Sequence, residues 1–406
     1  MTYSTGDLFP FEPDWSDGVI ERMEWMTDIM RANNGDEQRV GVRDQPRVSL
    51  SVRYLLQRND AAFLRNLTWR RSFYYFYLPF WPHRNVVTST AGSGSTTIQT
   101  PGLELSVTTG SYVAFMGADG RQVEVKQVSS ASTNNIVLTS AITNDWPART
   151  TIVPCARGHL DNDFQLSLTQ VTPNVTRAET QFLFDPRANP LLMPQGTPDF
   201  IYAGHELWVH EPNWINDIPL DTRHFTQLID RRVGTFRENS YGLMTWMLPE
   251  QVMQGSWFLK GREAIDKFRQ FLARRHGRMN TFWTPSWGWD FELVSPIGPA
   301  DTVITVKYNY TAYTPAPGRQ HIMIRSKSGV YWPCEVDNIT DNGDGTSAVT
   351  IGAALGSALA VANVDRIMWL HCARLASDTV ELRWEHTQFA EARMSLSFMT
   401  DRGTVA

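Results

Sequence analysis

Cysteine is scarce: Cys155, Cys334 and Cys372 are the only three in 406 residues. They are too few and too scattered for a disulfide framework or a thiolate zinc site. Their scarcity points to a soluble protein folded in a reducing compartment. Long apolar runs are missing as well. No stretch approaches the roughly 20 apolar residues of a membrane span, so no membrane insertion is expected. The start, MTYSTGDLFPFEPDW, has neither the basic nor the apolar region of a secretory signal. Positive charge is not in excess either. A net charge of −5 gives no basic field for specific nucleic-acid binding.

Catalytic and metal motifs are also lacking. HELWVH (205–210) sets His205 and His210 five apart, whereas a zinc-protease helix needs them four apart on one face. DNGDGT (341–346) has no Glu where a calcium loop would close, and its Asn-Gly and Asp-Gly pairs are hairpin-turn signals. AGSGSTT (91–97) lacks the Gly-Lys-Ser/Thr of a phosphate loop. No Gly-x-Ser-x-Gly elbow occurs. The expectation is a non-enzymatic chain with no catalytic residue, cofactor or metal.

Aromatic residues are abundant instead, with 15 Trp and 20 Phe. Such loading serves large cores, interfaces or sugar stacking. The chain also repeats itself. EPDW at 12–15 returns as EPNW at 211–214, each preceded by an apolar pair, Leu8-Phe9 and Leu207-Trp208. VSLSVRY (48–54) alternates as a strand does and is matched to YGLMTWML (241–248). A helix is expected at 59–71 and again at 261–277, the second ending in basic residues and Gly277. Each helix is followed by an aromatic strand and a Pro-x-Trp, Pro79-Trp81 and Pro285-Trp287. Next come about 70 residues of turn-rich Ser, Thr, Gly, Val and Ile in each copy, read as short strands and turns. Further matches join Cys155-Ala156-Arg157 to Cys372-Ala373-Arg374, Thr169-Gln170 to Thr387-Gln388, and AETQFLF (178–184) to ARMSLSF (392–398). Seven landmarks in the same order make one unit written twice. Trp15 and Trp214 should then occupy equivalent places.

The reading is therefore mainly β: two tandem β-sandwich or half-barrel domains, each with one flanking helix and an inserted small barrel of OB or SH3 type. The expected boundaries are 1–85 plus 159–184 for the first domain and 86–158 for its insertion. A proline-dense linker at 185–200 leads to 201–293 plus 375–406, with the second insertion at 294–374.

Here the residues resemble a family. GDEQRVGVRDQPRVSLSVRY (35–54), a helix and a strand ending in LPFW, then GRMNTFWTPSWGWDFEL (277–293) and an inserted barrel, are similar to the distal tail and baseplate-hub proteins of bacteriophages with long non-contractile tails. The resemblance implies tube-like domains that close a ring continuing the tail tube, with peripheral modules facing outward. The tandem copy departs from the family's single tube-like domain. It allows a trimer with pseudo-sixfold symmetry, or a hexamer. Implied partners are other copies of the chain, the tail tube protein, baseplate hub and tip proteins, the tape-measure protein and, as a further contact, the host surface. The implied location is the virion tail, assembled in the bacterial cytoplasm. The alternative function is a receptor- or glycan-binding tail protein.

Two groups are interface candidates. Tyr74 to Tyr77 are consecutive aromatics, so both faces of that strand are aromatic: one for the core, one for a ring neighbour. Tyr75, Tyr77, Trp81, Trp283, Trp287 and Trp289 follow from that argument. The basic cluster Arg269, Arg274, Arg275, His276 and Arg278 reads either as a solvated helix end that offsets the helix dipole or as a subunit contact, with Arg274 and Arg275 the candidates.

Overall fold

The structure is a computed structural model that describes residues 8–31, 37–71, 75–102, 105–117, 122–161, 166–185, 196–213, 220–223, 226–229, 232–233, 236–237, 241–244, 250–307 and 319–399. Tyr74, Trp214 and most of the linker at 185–200 lie outside the described residues.

Alternation builds the main sheet. Val19–Glu24 (β1) buries Val19, Glu21 and Met23. Arg47–Gln57 (β2) turns Val48, Leu50, Val52, Tyr54 and Leu56 to the core, with a period of two. The chain passes straight into the helix Arg58–Arg71 (α1), which buries Ala61, Leu64 and Leu67 against β2 and its neighbour. Ser167–Thr172 (β3) and Val175–Phe184 (β4) close the first half as a hairpin. The order β3-β4-β2-β1 is antiparallel throughout.

The second half repeats this. Leu220–Arg223 (β5), Glu250–Lys260 (β6), the helix Arg262–Arg275 (α2), Thr379–His386 (β7) and Phe389–Phe398 (β8) give the order β7-β8-β6-β5. The register repeats as well. Ala178 faces Tyr54 and Phe182 faces Leu50 in the first half; Ala392 faces Trp257 and Leu396 faces Met253 in the second. Outlying contacts match too. Leu8 bridges Tyr77 as Leu207 bridges Trp283. Asp14 N–H donates to Arg53 O, and Asn213 N–H to Ser256 O, both at 2.7 Å. Asp14 and Asn213 directly precede the paired tryptophans in sequence.

Between α1 and β3, and between α2 and β7, sits a turn-rich β module with its own core. The first packs Ile98, Val113, Phe115, Ile136, Trp146 and Ile152; the second packs Ile304, Ile322, Val336, Ile351 and Trp369. DNGDGT is a hairpin turn between Tyr331–Asp341 and Thr346–Ile351, with Gly343 and Gly345 at positive φ. The strand Thr151–Leu160 pairs with the module's Tyr112–Met116 at one end and with β4 at the other. It therefore runs unbroken through the boundary placed at residue 158.

Three matched pairs shift. The counterpart of 48–54 is β6, not YGLMTWML. Tyr241–Met244 instead pairs with Thr226–Ile229, in a hairpin corresponding to Thr27–Arg31 with Glu37–Gly41. Thr387-Gln388 is the β7–β8 turn, whereas Thr169-Gln170 lies inside β3. The Cys-Ala-Arg match is two residues off. Arg157 faces Tyr77, and the residue facing the equivalent Trp283 is Cys372. A slip of two keeps side chains on the same sheet face, so pattern alone does not expose it.

Candidate assembly interface

The two halves meet edge to edge. β1 of the first pairs antiparallel with β7 of the second, from Val19 opposite Trp384 to Glu24 opposite Thr379. One continuous eight-stranded run results, β3-β4-β2-β1-β7-β8-β6-β5. The joint is heterologous, because β1 and β7 are different edges of the repeated unit. Its two unused counterparts, β5 and β3, are the ends of the run. Among the described residues neither has a strand on its outer side. β3 is exposed along its length apart from half-buried Leu168.

Behind the joint lies a dry polar cluster. Glu21 sits on the core face of β1 between Val19 and Met23. Its Oε1 accepts from Arg269 Nη2 at 2.9 Å and Nε at 3.2 Å, and its Oε2 from Trp384 Nε1 at 3.0 Å. Both members of the ion pair have wholly buried side chains. Such a pair persists only when its remaining hydrogen-bonding positions are satisfied. His83 completes it: its Nε2 stands 3.4 Å from Arg269 Nη1, and its Nδ1 3.4 Å from Leu105 O. A guanidinium only donates, so Nε2 accepts and Nδ1 carries the proton. Burial first, then the Arg262 and Arg269 charges, push the His83 pKa well below its ordinary value, so this ring stays neutral. Arg262 extends the contact, donating from α2 to Pro82 O at 2.9 Å.

A second tie is the hairpin Thr27–Arg31 with Glu37–Gly41, an arm of the first half lying on the second. Arg374 binds Glu37 bidentately at 2.8 and 2.9 Å, and Arg39 donates to Met279 O at 2.9 Å. Asp378 accepts from the Thr27 N–H and hydroxyl, both at 2.8 Å, and from the Arg278 N–H at 2.9 Å. Burial works to raise the Asp378 pKa, but these donors and the Arg278 charge hold it below the ordinary value. Gly277 lies under this contact with φ +65; a Cβ there would meet the Asp378 carboxylate at 2.3 Å.

Most of the candidate residues turn inward. Tyr77 and Trp81 pack in a cluster with Leu8, Met116, Val153 and Cys155. Trp283 and Trp287 pack in the corresponding cluster with Leu207, Met323, Met368 and Cys372. The second aromatic face is thus covered by the chain's own N-terminal segment and inserted module, not by a neighbour. Arg274 and Arg275 are corrected likewise. Both grip Glu206 of the same chain, at 2.6 Å each from Nη2, and tie the end of α2 to the segment before EPNW. Arg269, read from the sequence as part of a solvated helix end or a subunit contact, is buried in the joint between the halves. Tyr75 and Trp289 alone of the aromatic candidates are exposed, by 40% and 72%. Tyr75 lies under Arg157 at 4.6 Å and beside His159 at 5.3 Å.

Glu21 was missed by the sequence reading. A signal existed: a carboxylate on the inward register of an alternating strand demands a buried partner. No protein-family model matches this chain, and no curated protein matches it.

Proposed function

We propose that this chain is a structural ring subunit at the distal end of a phage tail, joining tail tube to tip, with the inserted modules as docking platforms. One observation carries the ring. The chain contains one finished head-to-tail joint, β1 on β7, and among the described residues the two equivalent edges, β5 and β3, have no strand on their outer sides. A heterologous contact repeated by rotation closes on itself or runs on as a fibre. Open edges on a long sheet invite a further strand, and closure abolishes them.

Size favours three chains. Three runs of eight strands give 24, and at about 4.8 Å per strand the circumference is roughly 115 Å and the diameter roughly 37 Å before strand tilt widens it. That leaves an open channel once side chains are counted. Six chains would double it. The tail assignment rests on the family resemblance of 35–54 and 277–293. Implied partners remain the tail tube, hub, tip and tape-measure proteins.

The tail assignment is tested by gold-labelled antibody on intact virions purified from cells that express the chain. Label confined to the distal tail end is expected. Absence of the chain from purified virions, or label on the head, would overturn it.

A further inference from the structure

The internal joint shows which surfaces a joint covers, and the equivalent surfaces beside β5 and β3 are bare. Ala61, Leu64 and Leu67 of α1 correspond to Ile265, Phe268 and Phe271 of α2, because both sets pack into the same core. In α2, Arg262, Asp266 and Arg269 contact the first half across the joint, and Ala273 continues that face by helical spacing, at i, i+4, i+7 and i+11. Three of these are buried: Arg262 at 8%, Arg269 at 1% and Ala273 at 7% exposure. The corresponding face of α1 is Arg58, Ala62, Arg65 and Trp69. Here both arginines are exposed and Trp69 is 87% exposed.

The opposite side of the joint repeats the contrast. The corner that receives α2 is Trp81-Pro82-His83, with His83 wholly buried. Its counterpart in the second half is Trp287-Gly288-Trp289. Trp287 keeps its place in the core, while Trp289, the counterpart of His83 in sequence, is 72% exposed, with Arg366 over its ring at 5.7 Å. Trp384, wholly buried in the joint, corresponds to exposed Gln170 on β3. Large aromatics bared on both open ends, where the internal copy is buried, mark an interface.

We propose that the Trp287–Trp289 corner of one chain docks on the Arg58–Arg65–Trp69 face of α1 in a second copy, with β5 paired to β3 between chains. The proposal rests on the ring reading and adds its contact residues and register. Carrying the internal pairing across sets Leu220 opposite Leu168 and Asp221 opposite Ser167, as Glu21 faces Leu382 and Arg22 faces Glu381. The chemistry differs between the two joints. Leu220 holds the place of Glu21, so the joint between chains has no equivalent of the buried carboxylate. Arg65 meets the Trp289 ring instead, as a cation over an aromatic face. The joint between chains is aromatic and comparatively salt-tolerant, while the joint within the chain is ionic and buried. Two chemistries keep the halves alternating, since each edge prefers its own partner.

The test is a cysteine pair, Asp221→Cys with Ser167→Cys, oxidised in the full-length chain, beside Trp289→Ala and Trp69→Ala. A ladder of disulfide-linked chains ending at the ring size is expected, with no ladder from either single-cysteine variant. Each tryptophan variant should melt as the wild type does when monomeric and assemble at least about tenfold more weakly. If the wild-type chain forms rings but the pair does not cross-link and both tryptophan variants assemble normally, the proposed contact is wrong and the ring reading stands. If the wild-type chain forms no oligomer, both fall.

Discussion

Replacing Glu21 by alanine is expected to destabilise the chain by about 3–5 kcal/mol, the cost of leaving a buried ionic partner uncompensated. The charge left behind is Arg269, whose side chain is wholly buried. Trp384 Nε1 loses its acceptor in the same step. His83 Nε2 cannot take over, because its single lone pair already faces Arg269. The double variant Glu21→Leu with Arg269→Met should recover most of the loss, since apolar replacement of a buried pair is neutral or stabilising. Urea unfolding followed by tryptophan fluorescence reads both variants. A Glu21→Ala cost of less than about 1 kcal/mol would show that this cluster does not hold the halves together.

Glu206→Ala is expected to cost about 3 kcal/mol by the same logic, at a cluster lying wholly within the second half. One carboxylate there holds two guanidiniums, Arg274 and Arg275. Burial outweighs the attraction of Glu206 and pushes the Arg275 pKa down to about 10, so the group is already under strain as a cation. Losing Glu206 frees the end of α2 from the segment 205–206. Thermal unfolding should fall in the monomer itself. Were Arg274 and Arg275 subunit contacts instead, Glu206→Ala would leave the monomer's melting temperature unchanged.

Much of the fold was legible because the two halves check each other. β2 and α1 stand in the pattern of 48–71, and the closing strands match residue for residue from Ala178 and Ala392 onward. Errors arose where pattern is degenerate. The Cys-Ala-Arg slip preserved strand faces. Tyr241–Met244 has the apolar character of a core strand but pairs in a separate hairpin. The interface was the least legible part. Tyr77, Trp81, Trp283 and Trp287 are as aromatic as interface residues, yet local composition does not tell which covering segment arrives from elsewhere in the chain. Leu8 and Leu207 supply that cover from about 70 residues away. Trp69 and Trp289 have no such apolar cover and stay exposed.

The central claim is that the chain carries one joint and repeats it to close a ring. Mass photometry of the purified full-length chain, with class averages of the same sample, tests it most directly. The predicted result is a discrete species near three times the 46.2 kDa chain, appearing as a ring of six similar units around a channel. A species near six times that mass would keep the closed ring and correct the size argument. A monomer at every concentration, or an open fibre with no closed species, would contradict it.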